Sequence, residues 1–182
     1  MLLIRSATGT VRCRKPRVAD AAALSLVFTS AWRLGFKGIL PQEFLDRLDP
    51  SASCARWEID LDPARFGPPH FLVAETAGQV VGFSAFGPSR DEDASPGSGE
   101  VFAIHVAPEH WGEGVGTTLL SSTVLELRAI GLVRASLWVM ERNERARRFY
   151  ERHGWRSDGT ERDSTRFANV SIHELRYRLA FE

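Results

Sequence analysis

The run EVFAIHVAPEHWGEGVGTTLLSSTVLELRAIG, residues 100–131, constrains the fold more than any other part of the chain. Its first residues alternate as a strand, and Pro108 ends that strand because it offers no N–H to a ladder and pushes Ala107 into extended geometry. Gly112, Gly114 and Gly116 follow. After them, Leu119, Leu120, Val124, Leu127 and Ile130 recur at helical spacing, with Gly131 as the stop. A strand, a bare loop and an uninterrupted helix in that order form an anion site, since the first N–H groups of a helix have no partner inside it and its dipole favours negative charge. Glycines let the anion approach the main chain, where a Cβ would intrude. A slack surface turn is the alternative.

Spacing separates the phosphate-binding designs. The P-loop needs GxxxxGK followed by Ser or Thr, and no lysine lies near this loop. A dinucleotide fold needs GxGxxG and an acidic residue at the end of the next strand. Here the glycines run GxGxG, and the next strand carries Trp138 and Met140.

The rest of the chain reads as alternating strands and helices. Val11 to Arg14 is a short strand, and Leu24, Val27, Phe28 and Ala31 mark the helix after it, with Asp20 at its start. LPQEFLDRL predicts a second short helix, and a further turn is expected around Ala55 to Ile59. HFLVAETAGQVVGFSAF predicts a hairpin turning at Ala77 and Gly78. Residues 87–99, GPSRDEDASPGSG, form a polar loop with the character of a flexible, solvated tip. VRASLWVM is a strand, NERARRFYERHG a helix entered at Asn143, and VSIHELRYRLAF a closing strand. The pattern predicts one α/β (α+β) sheet domain spanning 1–182.

Composition narrows the partners. The 23 basic and 23 acidic residues cancel, so there is no global charge footprint for nucleic acid or for an anionic membrane. No segment has the roughly 20 apolar residues of a membrane span, and the first residues lack a secretory pattern. Cys13 and Cys54 share no CxxC spacing and the five histidines lack HExxH spacing, so no metal site is expected. The expectation is a soluble, cytoplasmic protein.

IHVAPEHWGEGVGTTLL resembles the acyl-CoA pyrophosphate motif of the GNAT superfamily of N-acetyltransferases. Val106 and Pro108 match its strand end, and Gly114 and Gly116 its two small positions. Trp111 departs from it, standing where the family commonly has Gln or Arg. LWVMERNERARRFYERHGW resembles the second signature, with Asn143, Ala146, Phe149, Tyr150, Gly154 and Trp155 in matching positions. The resemblance runs from about Val11 onward. It implies a central twisted sheet, mixed but mostly antiparallel, flanked by helices, whose central strands, Val101 to Val106 and Leu137 to Met140, splay apart to admit the cofactor.

That resemblance implies acetyl-CoA as cosubstrate and a primary amine, on a small molecule or a protein, as acceptor, attacking directly in a ternary complex. A non-catalytic acyl-CoA binding or sensing module is the alternative. The cofactor-binding set it implies is Ile104, His105, Val106, Gly112, Glu113, Gly114, Val115, Gly116, Thr117, Asn143, Ala146 and Phe149. The Val106 N–H would meet the thioester carbonyl, and Tyr150 would protonate the departing thiolate, a phenol being protonated at neutral pH. Asn143 serves equally as a plain helix N-cap. Glu100 is the expected base, with Glu141 and His105 behind it. Strict alternation puts Glu100 and His105 on opposite faces of an unbulged strand. Trp32, Arg33, Phe36 and Phe167 are candidates for the acceptor rim. Homodimers are common in the family, and no segment here marks an interface.

Overall fold

The computed structural model describes residues 3–6, 9–62, 64, 67–165 and 170–181. Its elements in chain order are β1 (Leu3–Ser6), β2 (Gly9–Arg14), α1 (Ala21–Gly35), α2 (Gln42–Asp46), α3 (Pro50–Asp60), β3 (His70–Thr76), β4 (Gln79–Pro88), β5 (Ser98–Val106), α4 (Val115–Ala129), β6 (Arg134–Met140), α5 (Glu144–Arg152), β7 (Arg156–Ser164) and β8 (Ile172–Ala180). The eight strands form one sheet in the order β1-β2-β3-β4-β5-β6-β8-β7. Every neighbouring pair is antiparallel except β5 and β6, which are parallel.

That parallel pair is where the sheet opens. β5 and β6 are in register only at Ser98, Gly99 and Glu100, opposite Arg134, Ala135 and Ser136. β6 continues against β8 as far as Met140, while β5 continues against β4 as far as Val106. The central strands are therefore splayed over the residues the sequence indicated. A β-bulge sits just where they part: Phe86 pairs with Val101 but Ala85 with Ala103, leaving Phe102 as the extra residue. Bulges bend a strand and sharpen its twist.

Helices cover both faces. On one, Leu119, Leu120 and Leu127 of α4 are buried against Val101, Leu137 and Val139, joined by Phe149 and Tyr150 of α5. On the other, Leu24 and Val27 of α1 pack on Val73 and Phe83. Trp32 of α1 and Leu45 of α2 continue that layer over Met140 and Ile172. Ile130, expected on the buried face of α4, is instead its C-cap and is exposed.

The Ala77–Gly78 hairpin forms as expected, with positive φ at both residues, the geometry whose twist matches flanking strands. The expected turn at Ala55 to Ile59 is a full helix, α3. Asp49 caps it by accepting from the Ser51 N–H at 2.8 Å, and Pro50 opens it. Ser25 of α1 donates to the Pro50 carbonyl and ties the two helices together.

The polar loop is shorter than expected, since the strands reach Pro88 and begin again at Ser98. It is exposed at Arg90, Glu92, Asp93, Ser95 and Pro96, as expected, but it is also pinned. Asp91 accepts from Ser136 Oγ at 2.9 Å and Trp138 Nε1 at 2.8 Å, and the Asp93 carboxylate takes the Arg176 guanidinium at 2.5 and 2.8 Å. That bond from Arg176 holds the Asp93 carboxyl down to about 2.

Candidate active site

The glycines after β5 carry two separate requirements. Gly112 and Gly114 both have φ of 83°, a left-handed conformation that side chains disfavour. Gly116 differs, lying inside the first turn of α4, where an added Cβ would stand an ordinary 3.5 Å from the Phe149 ring. Its bareness serves the space above it. That space is a cavity of about 640 Å³ floored by Gly112, Gly114, Val115, Gly116 and Thr117 and walled by Ala146, Phe149 and Tyr150.

The N-cap of α4 is Gly114, so no side chain of its own caps the helix start. The first main-chain bond of α4 runs from the Thr118 N–H to the Gly114 carbonyl. His110, Arg145, Arg152 and His153 line the same space, and the two guanidinium groups make its rim basic. His153 Nδ1 lies 2.7 Å from the Phe149 carbonyl and must donate to it, while its Nε2 lies 3.0 Å from Thr117 Oγ1. The sequence offered no signal for this pair.

A second cavity of about 380 Å³ lies on the α1 face. Ile104, Val106, Trp111, Arg145, Ala146 and Tyr150 line both spaces. These six residues form the junction at the splay. The register opposes Gly82 to Val106 while the Ala107 N–H donates to Val81, so the alternation of an antiparallel ladder turns the Val106 polar groups away from β4 towards the gap. Trp111 Nε1 takes the Val106 carbonyl at 2.8 Å. The Arg145 guanidinium stacks over the Trp111 ring at 3.4 Å.

Tyr150 is half-buried between the cavities, with its ring against Phe149 and Trp155. Its hydroxyl makes no hydrogen bond among the described residues. Burial pushes its pKa up to about 12, because a phenolate there would lose its hydration. The group is a proton donor throughout the physiological range.

Several expected residues stand elsewhere than expected. Phe102 as a bulge residue reverses the alternation, so Glu100 and His105 share a face of β5, opposite Gly87 and Phe83. The His105 side chain consequently faces the α1-side cavity and not the glycine cavity. Its pKa falls to about 4 through burial, so the ring is neutral. The Glu100 carboxylate lines neither cavity. It is 3% exposed and held by Arg90, at 2.7 and 3.2 Å from the guanidinium and 3.0 Å from the main-chain N–H. Glu113 is turned to His110 Nδ1 at 2.9 Å, and Glu141 is exposed. Asn143 caps α5 by accepting from the Ala146 N–H at 3.1 Å, and lines the α1-side cavity.

Trp32 and Phe36 do line that cavity. Arg33 does not, being spent on the carbonyls of Leu45, Asp46 and Leu48. Phe167 lies outside the described residues. The carboxylate that does line the cavity is Glu174 of β8, bound to Arg162 at 2.8 Å, which the sequence did not single out. No cluster of three metal-binding side chains occurs among the described residues. No helix among them is long and apolar enough to cross a membrane.

Two cavities thus meet at six shared residues where the central strands part. Residues 34–155 match the Acetyltransferase (GNAT) family. The chain belongs to that family, and is thereby an acyltransferase. It is 27% identical over 171 residues to a protein of Mycobacterium tuberculosis named a probable N-acetyltransferase, covering 93% of each chain. The PaiA N-acetyltransferase of Thermoplasma acidophilum, solved in complex with coenzyme A, superposes with a TM-score of 0.68 at 18% identity, over 94% of this chain and 99% of that one. The Salmonella typhimurium protein yncA, solved with its cofactor acetyl-CoA, gives 0.68 at 22% identity, over 94% of each. These likenesses carry the fold.

Proposed function

We propose that this chain, acting as a single domain, transfers the acetyl group of acetyl-CoA to a primary amine, which attacks the thioester directly while both substrates are bound. The observation that carries the reading is the junction: Val106, Tyr150 and four neighbours line both cavities, so a reactive group entering from each side meets at the same residues. Direct attack then needs proximity and proton transfer, with no protein nucleophile.

The residues fit the cosubstrate. The uncapped start of α4 and the side-chain-free floor at Gly112 to Thr117 suit a pyrophosphate, and the basic rim matches its charge. Acetyl-CoA supplies an activated acetyl group on a thiol leaving group. The Val106 N–H is turned towards the gap and donates to the thioester carbonyl, where negative charge builds during attack. Tyr150 holds its proton for the leaving sulfur. Glu174, the carboxylate lining the acceptor cavity, draws off the amine's proton through water, while Glu100 positions the 89–97 loop through Arg90.

A thiol-release assay against a panel of amines tests the reading. Coenzyme A should appear with at least one acceptor, and Tyr150→Phe should lower kcat by about 10²-fold or more with little change in acetyl-CoA binding. Tight acetyl-CoA binding with no turnover of any amine would instead favour an acyl-CoA sensor.

A further inference from the structure

The rings facing the α1-side cavity form a continuous box. Phe28, Trp32 and Phe36 follow one another at four-residue spacing along α1, with centroids 5.0 and 4.8 Å apart. His105 of β5 stands opposite, 5.9 Å from Phe28 and 6.0 Å from Trp32, and 5.2 Å from Phe83 on β4. Trp57 of α3 closes the box edge-on against Phe83 at 4.9 Å. Two helices and two strands thus contribute rings to one small volume.

The charges around it are already committed. Among the described residues that line the cavity, the charged side chains are Arg90, Arg145 and Glu174. Arg90 is bound to Glu100, Glu174 is bound to Arg162, and Arg145 lies on the Trp111 face. Glu174 alone offers a negative charge. A polyamine or an aminosugar would bring two or more ammonium groups into a space with one carboxylate and two guanidinium groups, so ion pairing would offset little of their desolvation.

One polar contact remains open. An indole N–H only donates, so the 3.2 Å contact from Trp32 Nε1 makes His105 Nε2 the acceptor and leaves the ring proton on Nδ1. That Nδ1–H has no partner among the described residues. It is a neutral donor set among rings and fixed in tautomer by Trp32.

We propose that the acceptor is a small primary amine on an apolar, aromatic-sized body with one neutral hydrogen-bond acceptor, packed in the ring box and read by the His105 Nδ1–H. This assignment rests on the acetyltransferase reading above. Aromatic pairs add to area burial when offset or edge-on, which favours an aryl substrate in such walls. A site built to hydrogen-bond a substrate group penalises the analogue lacking it, because its own donor is left unpaired.

The experiment measures kcat/KM of the wild-type protein with acetyl-CoA and four acceptor probes: 2-phenylethylamine, 2-amino-1-phenylethanol, spermidine and a lysyl peptide. The two aryl amines should exceed spermidine and the peptide by at least about 10-fold, and the hydroxylated amine should exceed its parent by about 10-fold. His105→Phe keeps a ring and should erase the second preference, while the KM for acetyl-CoA stays unchanged. Preference for spermidine or the peptide overturns the acceptor assignment and leaves the acetyltransferase reading standing. Acetyl-CoA binding with no amine acetylated overturns both. Equal rates for the two aryl amines overturn the part given to His105, and this comparison needs no variant to fold.

Discussion

Trp111 Nε1 donates a 2.8 Å hydrogen bond to the carbonyl of Val106, five residues earlier in the chain. That carbonyl faces the gap between β5 and β6, where no strand partners it, and the indole satisfies it from the glycine loop. The aromatic residue that departs from the usual polar side chain therefore ties the loop to the strand end, while the Val106 N–H keeps its freedom towards the gap.

Trp111→Phe should keep the ring under Arg145 but leave the Val106 carbonyl unpaired. We expect a stability loss of about 1 kcal/mol in denaturant unfolding, together with a several-fold rise in the KM for acetyl-CoA. Unchanged stability and KM would show that the bond does not hold the loop.

His105 links stability to pH. Its folded pKa of about 4 lies below the ordinary 6.5, so between these values the unfolded chain binds the extra proton. Its contribution is fully present above pH 6.5 and is lost as pH falls towards 4. Thermal melts of the wild type and of His105→Asn across pH 4 to 7 check this: the wild-type curve should fall more steeply on acidification. Parallel curves would mean that His105 is protonated alike in both states.

Asp91 carries the 89–97 loop. Its carboxylate, 7% exposed, takes Ser136 Oγ and Trp138 Nε1 and lies 3.4 Å from the guanidinium of Arg176. Asp91→Ala strands the Ser136 and Trp138 donors, while Arg176 keeps Asp93 and Asp158, and should cost about 2 kcal/mol. Limited proteolysis should then cut within residues 89–97 much faster than in the wild type. An intact loop in Asp91→Ala would contradict the anchoring.

The proposed reaction gives the base's part to Glu174 and a positioning part to Glu100. Glu174→Gln should lower kcat/KM by about 10²-fold, whereas Glu100→Gln should lower it less than about 10-fold and chiefly loosen the Arg90 side of the loop. Kinetics of the two variants decide it, and a larger loss in Glu100→Gln would restore the earlier expectation.

Much of this was legible in the chain. Long elements with a strong period, such as β3, β4, α4 and α5, were read with their order, and the splay followed from resemblance at the two signatures. Elements without an apolar face escaped. β7, RSDGTERDS, is an edge strand paired with β8 in which every residue is polar or glycine, so its sequence shows no apolar alternation. α3 buries no residue fully, and its start is set by Asp49 and Pro50 rather than by a hydrophobic stripe. At the site, the glycine floor and Tyr150 depend on local sequence and could be placed. The side of the sheet that Glu100 and His105 face could not, because one bulge at Phe102 inverts it and no residue type announces a bulge. The pinning of Asp91 to Trp138, 47 residues away, likewise exists only in three dimensions.

The proposed reaction requires the bare start of α4 to hold acetyl-CoA, and calorimetric titration of acetyl-CoA into the wild type and Gly116→Val measures this. Gly116 lies within a helical turn, and a Cβ there would stand 3.5 Å from the Phe149 ring, so the backbone tolerates a side chain and a Tm measured beside the titration separates lost binding from lost folding. A loss of affinity of about 100-fold or more, worth roughly 2.7 kcal/mol, is expected as the side chain fills the floor of the cavity. Wild-type affinity in a folded Gly116→Val protein would contradict it.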